Sequence, residues 1–470
     1  MPSKGIQCYS YIAVPGCQIE FSAPGSTVVR DQLRLFSTDH VEVEKDKIHG
    51  LFKFTGTFSF KVTQNGTQIV YETIDINALT GNLEAGSMKT MENQTSVVLS
   101  NIIVSFGFYD AGPGVAGLPS NDQCYVTVTP NYSGWMSDVA PTGSPQASKP
   151  FSKFCLPAAH DIGMNSMQNA EAVLTSSALI ELMTKISPIF AKVAGMMTHD
   201  AVELIAPNII RGLAITQKDT LSTILSLGAR YFEFRPAYLY NVIRPDHPIP
   251  DTLYFSHSAI PGMPYELFLK DTVAFLVANP GEIVVMQLRW DGVPPDCARP
   301  TDQDLASFLN SALAASNGAL AAGSLNDMLT LTIEQLRDQR KRLIVFANVD
   351  SYSTYTDDGN ATLTGDSIIA EFEKLTQNPQ LALGKPFVNL QCQATATRLP
   401  EAVAYSVVAA NAESSILLAT KPICDAKTLP WVVGNAESLL QDDVLVVVMN
   451  DFFDGATADV AIHWSKTRLS

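Results

Sequence analysis

Five short stretches of this 470-residue chain set ionisable side chains at spacings that chemistry can use. The first, FCLPAAHDIGM at 154–164, passes through small residues onto His160 and Asp161 and then Gly163. Histidine titrates near neutrality, so an imidazole at the end of an apolar run is a candidate proton carrier. The second, ARYFEFR, carries Glu233 and Arg235 two positions apart, a spacing that puts both on one face of a strand. YFSH ends on Ser256 and His257, and MQLRW again sets Gln287 and Arg289 two apart. LVVVMNDFFD places Asp451 just past an apolar run, with Asp454 as its competitor. Two histidines, several carboxylates and an arginine suit cleavage of a phosphodiester. That reaction needs a base for the attacking hydroxyl, an acid for the leaving oxygen and a cation on the phosphate. Each imidazole also needs a carboxylate to hold its tautomer.

These groups require elements to hold them. From residue 150 onward, short apolar runs alternate with helical patterns: FCLPA, ARYFEFR (229–235), TLYFSH (252–257), EIVVMQLRW (282–290), RLIVFANV (342–349), PFVNLQC (386–392) and DVLVVVMN (443–450). Continuous apolar runs mark strands buried on both faces, hence a parallel sheet. Seven or eight such units over ~320 residues predict an α/β fold, a (β/α) TIM-type barrel with its chemistry at the C-terminal strand ends. After His257, Leu269, Val273, Leu276 and Val277 recur at helical spacing, and Asn279-Pro280-Gly281 stops the helix. The apolar stretch 177–197, broken by Pro188, reads as a helix packed on the barrel, with a lid or membrane-contacting helix as the alternative.

The N-terminal part reads differently. In 51–62, LFKFTGTFSFKV, Phe52, Phe54, Phe58, Phe60 and Val62 alternate with Lys, Thr and Ser, the period of a strand with one wet face. QIVYETIDI, SVVLSNIIVSFGFY and CYVTVTPNY follow, and Asn65-Gly66 marks a hairpin. Residues 1–140 are therefore expected to form an antiparallel β-sandwich with no recognisable ligand site. The run DVAPTGSPQASKP at 138–150 predicts a linker with few groups able to pack, leaving 151–470 as a separable barrel.

The formal charge of −16 argues against nucleic acid as a partner. No uninterrupted run of ~18 apolar residues occurs, so no transmembrane helix is expected. The start of the chain lacks a signal-peptide core, which points to a cytoplasmic location, while sequons at Asn65, Asn93, Asn131 and Asn360 point the other way. Seven scattered cysteines without a C-x-x-C pair argue against a zinc site and a disulfide framework. No cofactor is expected.

LPAAHDIGM, LSLGARYFEFRP and YFSHSAIPGMPYELFLKDTVAFLVANPGEIVVMQLRW resemble, in order and spacing, the blocks of the X-domain of phosphatidylinositol-specific phospholipases C, across roughly 150–460. The resemblance implies a phosphoric diester hydrolase or lyase of the phospholipase C type, acting on a phospholipid or other phosphodiester. In it, His160 would be the general base and His257 the general acid, paired to Glu233. Arg235 would contact the phosphate, and Asp451 would orient His160. Animal relatives carry an acidic calcium ligand and an asparagine where this chain has Arg235 and Asp161, which implies a metal-independent reaction. Arg289 would help hold the headgroup, with Asn348, Gln391 and Gln393 near headgroup-binding positions. Their departures from the family pattern admit a headgroup other than inositol. A glycerophosphodiester-type enzyme and a non-catalytic lipid- or glycan-binding protein are the alternatives. Glu233 with Arg235 as a structural ion pair, and Arg289 as a brace, are the plain readings; His199 and His247 are taken as structural or surface residues.

Overall fold

The computed structural model describes residues 5–110, 121–174, 176–187, 195–246, 248–395, 415–439 and 444–470, together with 190, 192 and 400. His247 and Pro188 lie outside them.

The N-terminal strands are β1 (Gly5–Ile12), β2 (Cys17–Ala23), β3 (Ser26–Arg30), β4 (Ser37–Glu42), β5 (Thr55–Gln64), β6 (Thr67–Asn77), β7 (Val97–Val98), β8 (Ile102–Tyr109) and β9 (Asp122–Pro130). They form two sheets, β4-β1-β9-β8-β7 and β3-β2-β5-β6. Phe58 meets Phe108 at 5.9 Å and Phe60 meets Phe106 at 5.0 Å, so alternating side chains of both sheets fill one sandwich core. The sandwich is mixed rather than wholly antiparallel. β1 and β9 pair in parallel, which only strands separated by a long crossover can do. Asn65 and Gly66 both take positive φ in the tight turn that joins β5 to β6. The 51–62 alternation overreaches by four residues: β5 begins at Thr55. Gly50 and Phe52, at φ 127° and 61°, break the extended backbone before it, and Leu51 and Phe52 stand in solvent.

The remaining strands are β10 (Cys155–Ala159), β11 (Tyr231–Phe234), β12 (Pro236–Ala237), β13 (Tyr254–His257), β14 (Ile260–Pro264), β15 (Val284–Leu288), β16 (Ala322–Gly323), β17 (Leu343–Ala347), β18 (Tyr352–Ser353), β19 (Phe387–Gln391) and β20 (Leu445–Asn450). Eight of them make one parallel sheet in the order β16-β17-β15-β11-β10-β20-β19-β18. Phe387 of β19 lies 5.5 Å from Tyr231 of β11 and 6.1 Å from Phe346 of β17, so the sheet curls around a shared interior as a half-barrel. The sequence reading placed 252–257 in this sheet. Instead β12, which extends β11 beyond Arg235, captures β13 as an antiparallel partner, and β15 takes the place beside β11. The helix Tyr265–Ala278 buries Leu269, Val273 and Leu276, while Val277 faces outward. The helix Leu179–Ile186 buries Leu179, Leu182, Met183 and Ile186 against the barrel core.

The expected linker is docked. Met136, Ala140, Ala147 and Phe151 are fully buried, and Trp135 Nε1 donates to Gly228 O at 2.9 Å. Ile333 N donates to Lys149 O at 3.1 Å and Glu334 N to Ala147 O at 2.9 Å. Its small residues allow close approach, and its backbone polar groups find partners in the barrel rather than water. Ile103, Tyr109 and Tyr125 of the sandwich sit in the same core cluster as the barrel strands, and Tyr11 joins the helices behind β20. Side chains of the sandwich and of the barrel therefore pack into shared core clusters. All seven cysteines are free and buried.

Candidate active site

β10 is buried along its whole length and pairs Ala159 with Asn450 of β20, so His160 and Asp451 emerge side by side. His160 N donates to Asn450 O at 3.0 Å, and the imidazole Nδ1 lies 2.7 Å from Asp451 Oδ1. Asp161 then takes φ 44°, which turns its carboxylate under the cleft. A Cβ on Gly163 would stand 2.1 Å from Phe255 Cβ, so the glycine lets this loop press against β13 and bring His257 near.

Asp161 is the hub. Arg235 Nη1 donates to its Oδ2 at 3.1 Å, and Nη2 lies 3.0 Å from Oδ1. His160 Nε2 stands 3.6 Å from Oδ1 and His257 Nε2 3.7 Å from Oδ2. Arg235 Nε and His257 Nδ1 have no hydrogen-bond partner among the described residues. The expected pair between Glu233 and His257 is not formed. Glu233 accepts from Arg289 Nη1 at 2.6 Å and from Asn389 Nδ2 at 3.3 Å, because its face of β11 looks across to β15 and β19 while His257 sits on the small outer sheet. Asp454 is also set aside as the partner of His160. It caps the C-terminal helix Gly455–Leu469 and lies 3.4 Å from the buried Lys421 ammonium.

These charges set the protonation pattern. Burial disfavours charge on His160, but Asp161 and Asp451 outweigh it and hold the imidazole at about 9. Burial dominates at His257, because Asp161 beside it is already neutralised by Arg235, and its pKa falls to about 4. Burial would raise Asp161, yet Arg235 and the two imidazoles pull it down to about 2. Asp451 is raised, by burial.

The cleft over these groups has a volume of about 490 Å³. His160, Asp161, Glu233, Arg235, His257, Arg289, Gln391 and Asp451 all line it. Gln393 is buried behind Gln391 and donates to it. Asn348 does not reach the cleft; it lines an adjoining hollow of about 370 Å³ that shares Arg289 and Asp291. Its φ of 49° turns it out of the strand direction at the end of β17. Asp291 grips Arg289 at 2.7 and 2.9 Å and faces the cleft. The i, i+2 spacing from Arg289 was the available signal. Thr216 and Tyr355 also line the cleft, from loops whose sequence carried no signal. His199 begins the helix His199–Leu213 on the exposed surface.

No family model matches the chain, and no curated protein does. Among solved structures it is similar to the phosphatidylinositol-specific phospholipase C from Listeria monocytogenes, at 14% identity and a TM-score of 0.40, over 71% of this chain and 98% of that one. It is likewise similar to a pentafluoro-Phe-containing phosphatidylinositol-specific phospholipase C from Staphylococcus aureus, at 11% identity and a TM-score of 0.42, over 71% of this chain and 97% of that one.

Proposed function

We propose that this chain is a phosphodiesterase of the phospholipase C type, which cleaves a lipid phosphodiester by histidine acid–base catalysis. One observation carries the reading: two imidazoles flank a single buried carboxylate that an arginine bridges, at the floor of an open cleft. His160 is the base. With Nδ1–H on Asp451, the Nε2 of the neutral imidazole takes the proton of a substrate hydroxyl or water as that oxygen attacks phosphorus. His257 is the acid, giving a proton to the departing alkoxide as the phosphorus–oxygen bond breaks. Arg235, whose guanidinium lines the cleft, takes the phosphate oxygens.

With one pKa near 9 and the other near 4, the histidine pair holds a single proton across the neutral range. One base and one acid need that count. In the free protein the proton rests on His160. Catalysis then requires that proton to pass from His160 to His257, both of which face Asp161, when the phosphate is bound; this leaves one neutral base and one charged acid. Arg289 and Gln391 line the wall that would hold the headgroup, with Gln393 behind Gln391.

Alanine at His160 or His257 should each lower turnover by a factor on the order of 10² or more, with circular dichroism unchanged. A substrate with a good leaving group should rescue His257→Ala and not His160→Ala. Activity should survive a chelator. Near wild-type turnover in both variants would end the reading.

A further inference from the structure

Among the described residues, four large apolar side chains are far more exposed than the rest: Leu51 at 89%, Phe52 at 82%, Met196 at 81% and Leu204 at 80%. The next, Leu383, is at 61%. Scattered exposed apolar residues are ordinary, but these belong to two features rooted on one side of the molecule.

The sandwich fixes the side for the first pair. At one end of β8, Asn101 O accepts from Asn131 N, and the next residue, Tyr132, bonds Ser226 O, beside the N-terminal end of β11. At the other end, Phe108 N bonds Gln94, whose carbonyl accepts from Lys218 Nζ two residues past Thr216 of the cleft. The mouth end of this sheet is therefore the Tyr109 end. Register carries that level across: Tyr109 faces Gln123, Ile6 faces Asp122, and Gly5 faces Glu42. The loop from Glu42 to Thr55, with Leu51 and Phe52 at its tip, springs from the mouth end. Met196 and Leu204 lie on an excursion that leaves the cleft at Asp161 and re-enters it at Leu213 and Thr216.

Charge chooses the occupant. The chain carries −16 and Glu42 and Glu44 stand at the root of the loop, yet over its outer part, 45–53, Lys45, Lys47, His49 and Lys53 face Asp46 alone, all exposed. Lys45 is held over the Phe54 ring at 5.0 Å, at the base of the loop. Apolar tips ringed by lysine suit an interface of acyl chains below anionic headgroups. Phe52 also holds φ 61°, a conformation that a phenylalanine avoids, and nothing inside the protein is gained by it.

We infer that the Leu51–Phe52 loop is a membrane anchor that enters an anionic phospholipid surface and, with Met196 and Leu204, holds the cleft mouth against it. The orientation toward the mouth rests on the lipid-phosphodiesterase reading; the anchoring does not.

The test is co-sedimentation of the full chain with phosphatidylcholine vesicles, with and without phosphatidylserine. Turnover of a soluble phosphodiester is measured in parallel. The wild type should bind, more tightly with phosphatidylserine and less at high salt. Leu51→Ser with Phe52→Ser should weaken vesicle binding about tenfold or more, with soluble turnover unchanged. Phe52→Gly suits the backbone better and should lose binding all the same, which separates anchoring from folding. Equal binding by wild type and variants would overturn the anchor. So would a wild type that ignores vesicles but forms dimers that the variants abolish. If vesicle binding follows the loop but no phosphodiester is cleaved, the anchor stands and the catalytic reading falls.

Discussion

Arg230 and Arg235 flank one four-residue strand, and their surroundings differ completely. Arg230, at the closed end of β11, has no exposed surface, and every guanidinium nitrogen is used. Nε and Nη2 donate to Glu282 at 2.9 and 2.8 Å, Nη1 to the carbonyls of Leu225 and Ala229, and Nη2 also to those of Tyr132 and Ser133. Arg235, at the open end, meets Asp161 and leaves Nε unpaired. Burial lowers the pKa of Arg230 despite Glu282, whereas at Arg235 burial is outweighed by Asp161 and Asp291 and the pKa rises. A saturated arginine staples structure: its five carbonyl and carboxylate partners tie the sandwich's exit segment to the barrel floor. An unsaturated one, held on a cleft wall with a donor to spare, is placed to receive an anion. Residue type is the same in both; unused valence separates the two roles.

The comparison breaks most visibly in activity. Arg235→Ala should lower turnover by a factor on the order of 10² to 10³, with a smaller loss of stability than at Arg230, because two imidazoles still face Asp161. Arg235→Lys should recover little, since a point charge cannot copy the fork. The converse is expected of Arg230→Met. Removing the cation leaves Glu282 buried and uncompensated, and chemical denaturation should show a loss of about 3–5 kcal/mol. The turnover of whatever fraction remains folded should be near normal. Should Arg230→Met prove stable and inactive, or Arg235→Ala unfolded, the division between the two ends of β11 would be wrong.

A smaller effect sharpens the electrostatics at the open end. The folded-state pKa of His160 lies near 9, above its unfolded value of about 6.5, so its contribution is fully present below pH 6.5 and is lost as pH rises through 9. That is about 3 kcal/mol at most. His257, held near 4, acts in the opposite sense: stability is lost as pH falls from about 6.5 through 4. Stability should then peak near pH 6 to 7, with His160→Ala flattening the alkaline limb and His257→Ala the acid limb. Unfolding free energies measured across that range check both. Unchanged limbs in the two variants would show that the imidazoles do not carry these shifts.

The sequence by itself determined the strands and most of the chemistry they deliver. Runs such as LVVVM can be buried only on both faces, so a parallel sheet followed, and i, i+2 spacing put Glu233 with Arg235, and Gln287 with Arg289, on shared faces. These are local facts of backbone geometry, legible wherever the strand is regular. Partnership is not local, and tertiary structure decided it. Register between β11, β15 and β19 gave Glu233 to Arg289 and Asn389, and the pairing of β13 with β12 carried His257 to Asp161 instead. The same holds for 138–150, whose small polar residues read as a linker until the barrel's own backbone supplied their partners. Phe52 fits the alternation of a half-buried strand, but positive φ at Gly50 and Phe52 keeps the backbone from extending until Thr55 and leaves Leu51 and Phe52 in solvent. A period shows which side chains share a face. Only the packed chain decides what that face meets, because the energy of a charge or an apolar surface depends on its neighbours across the fold.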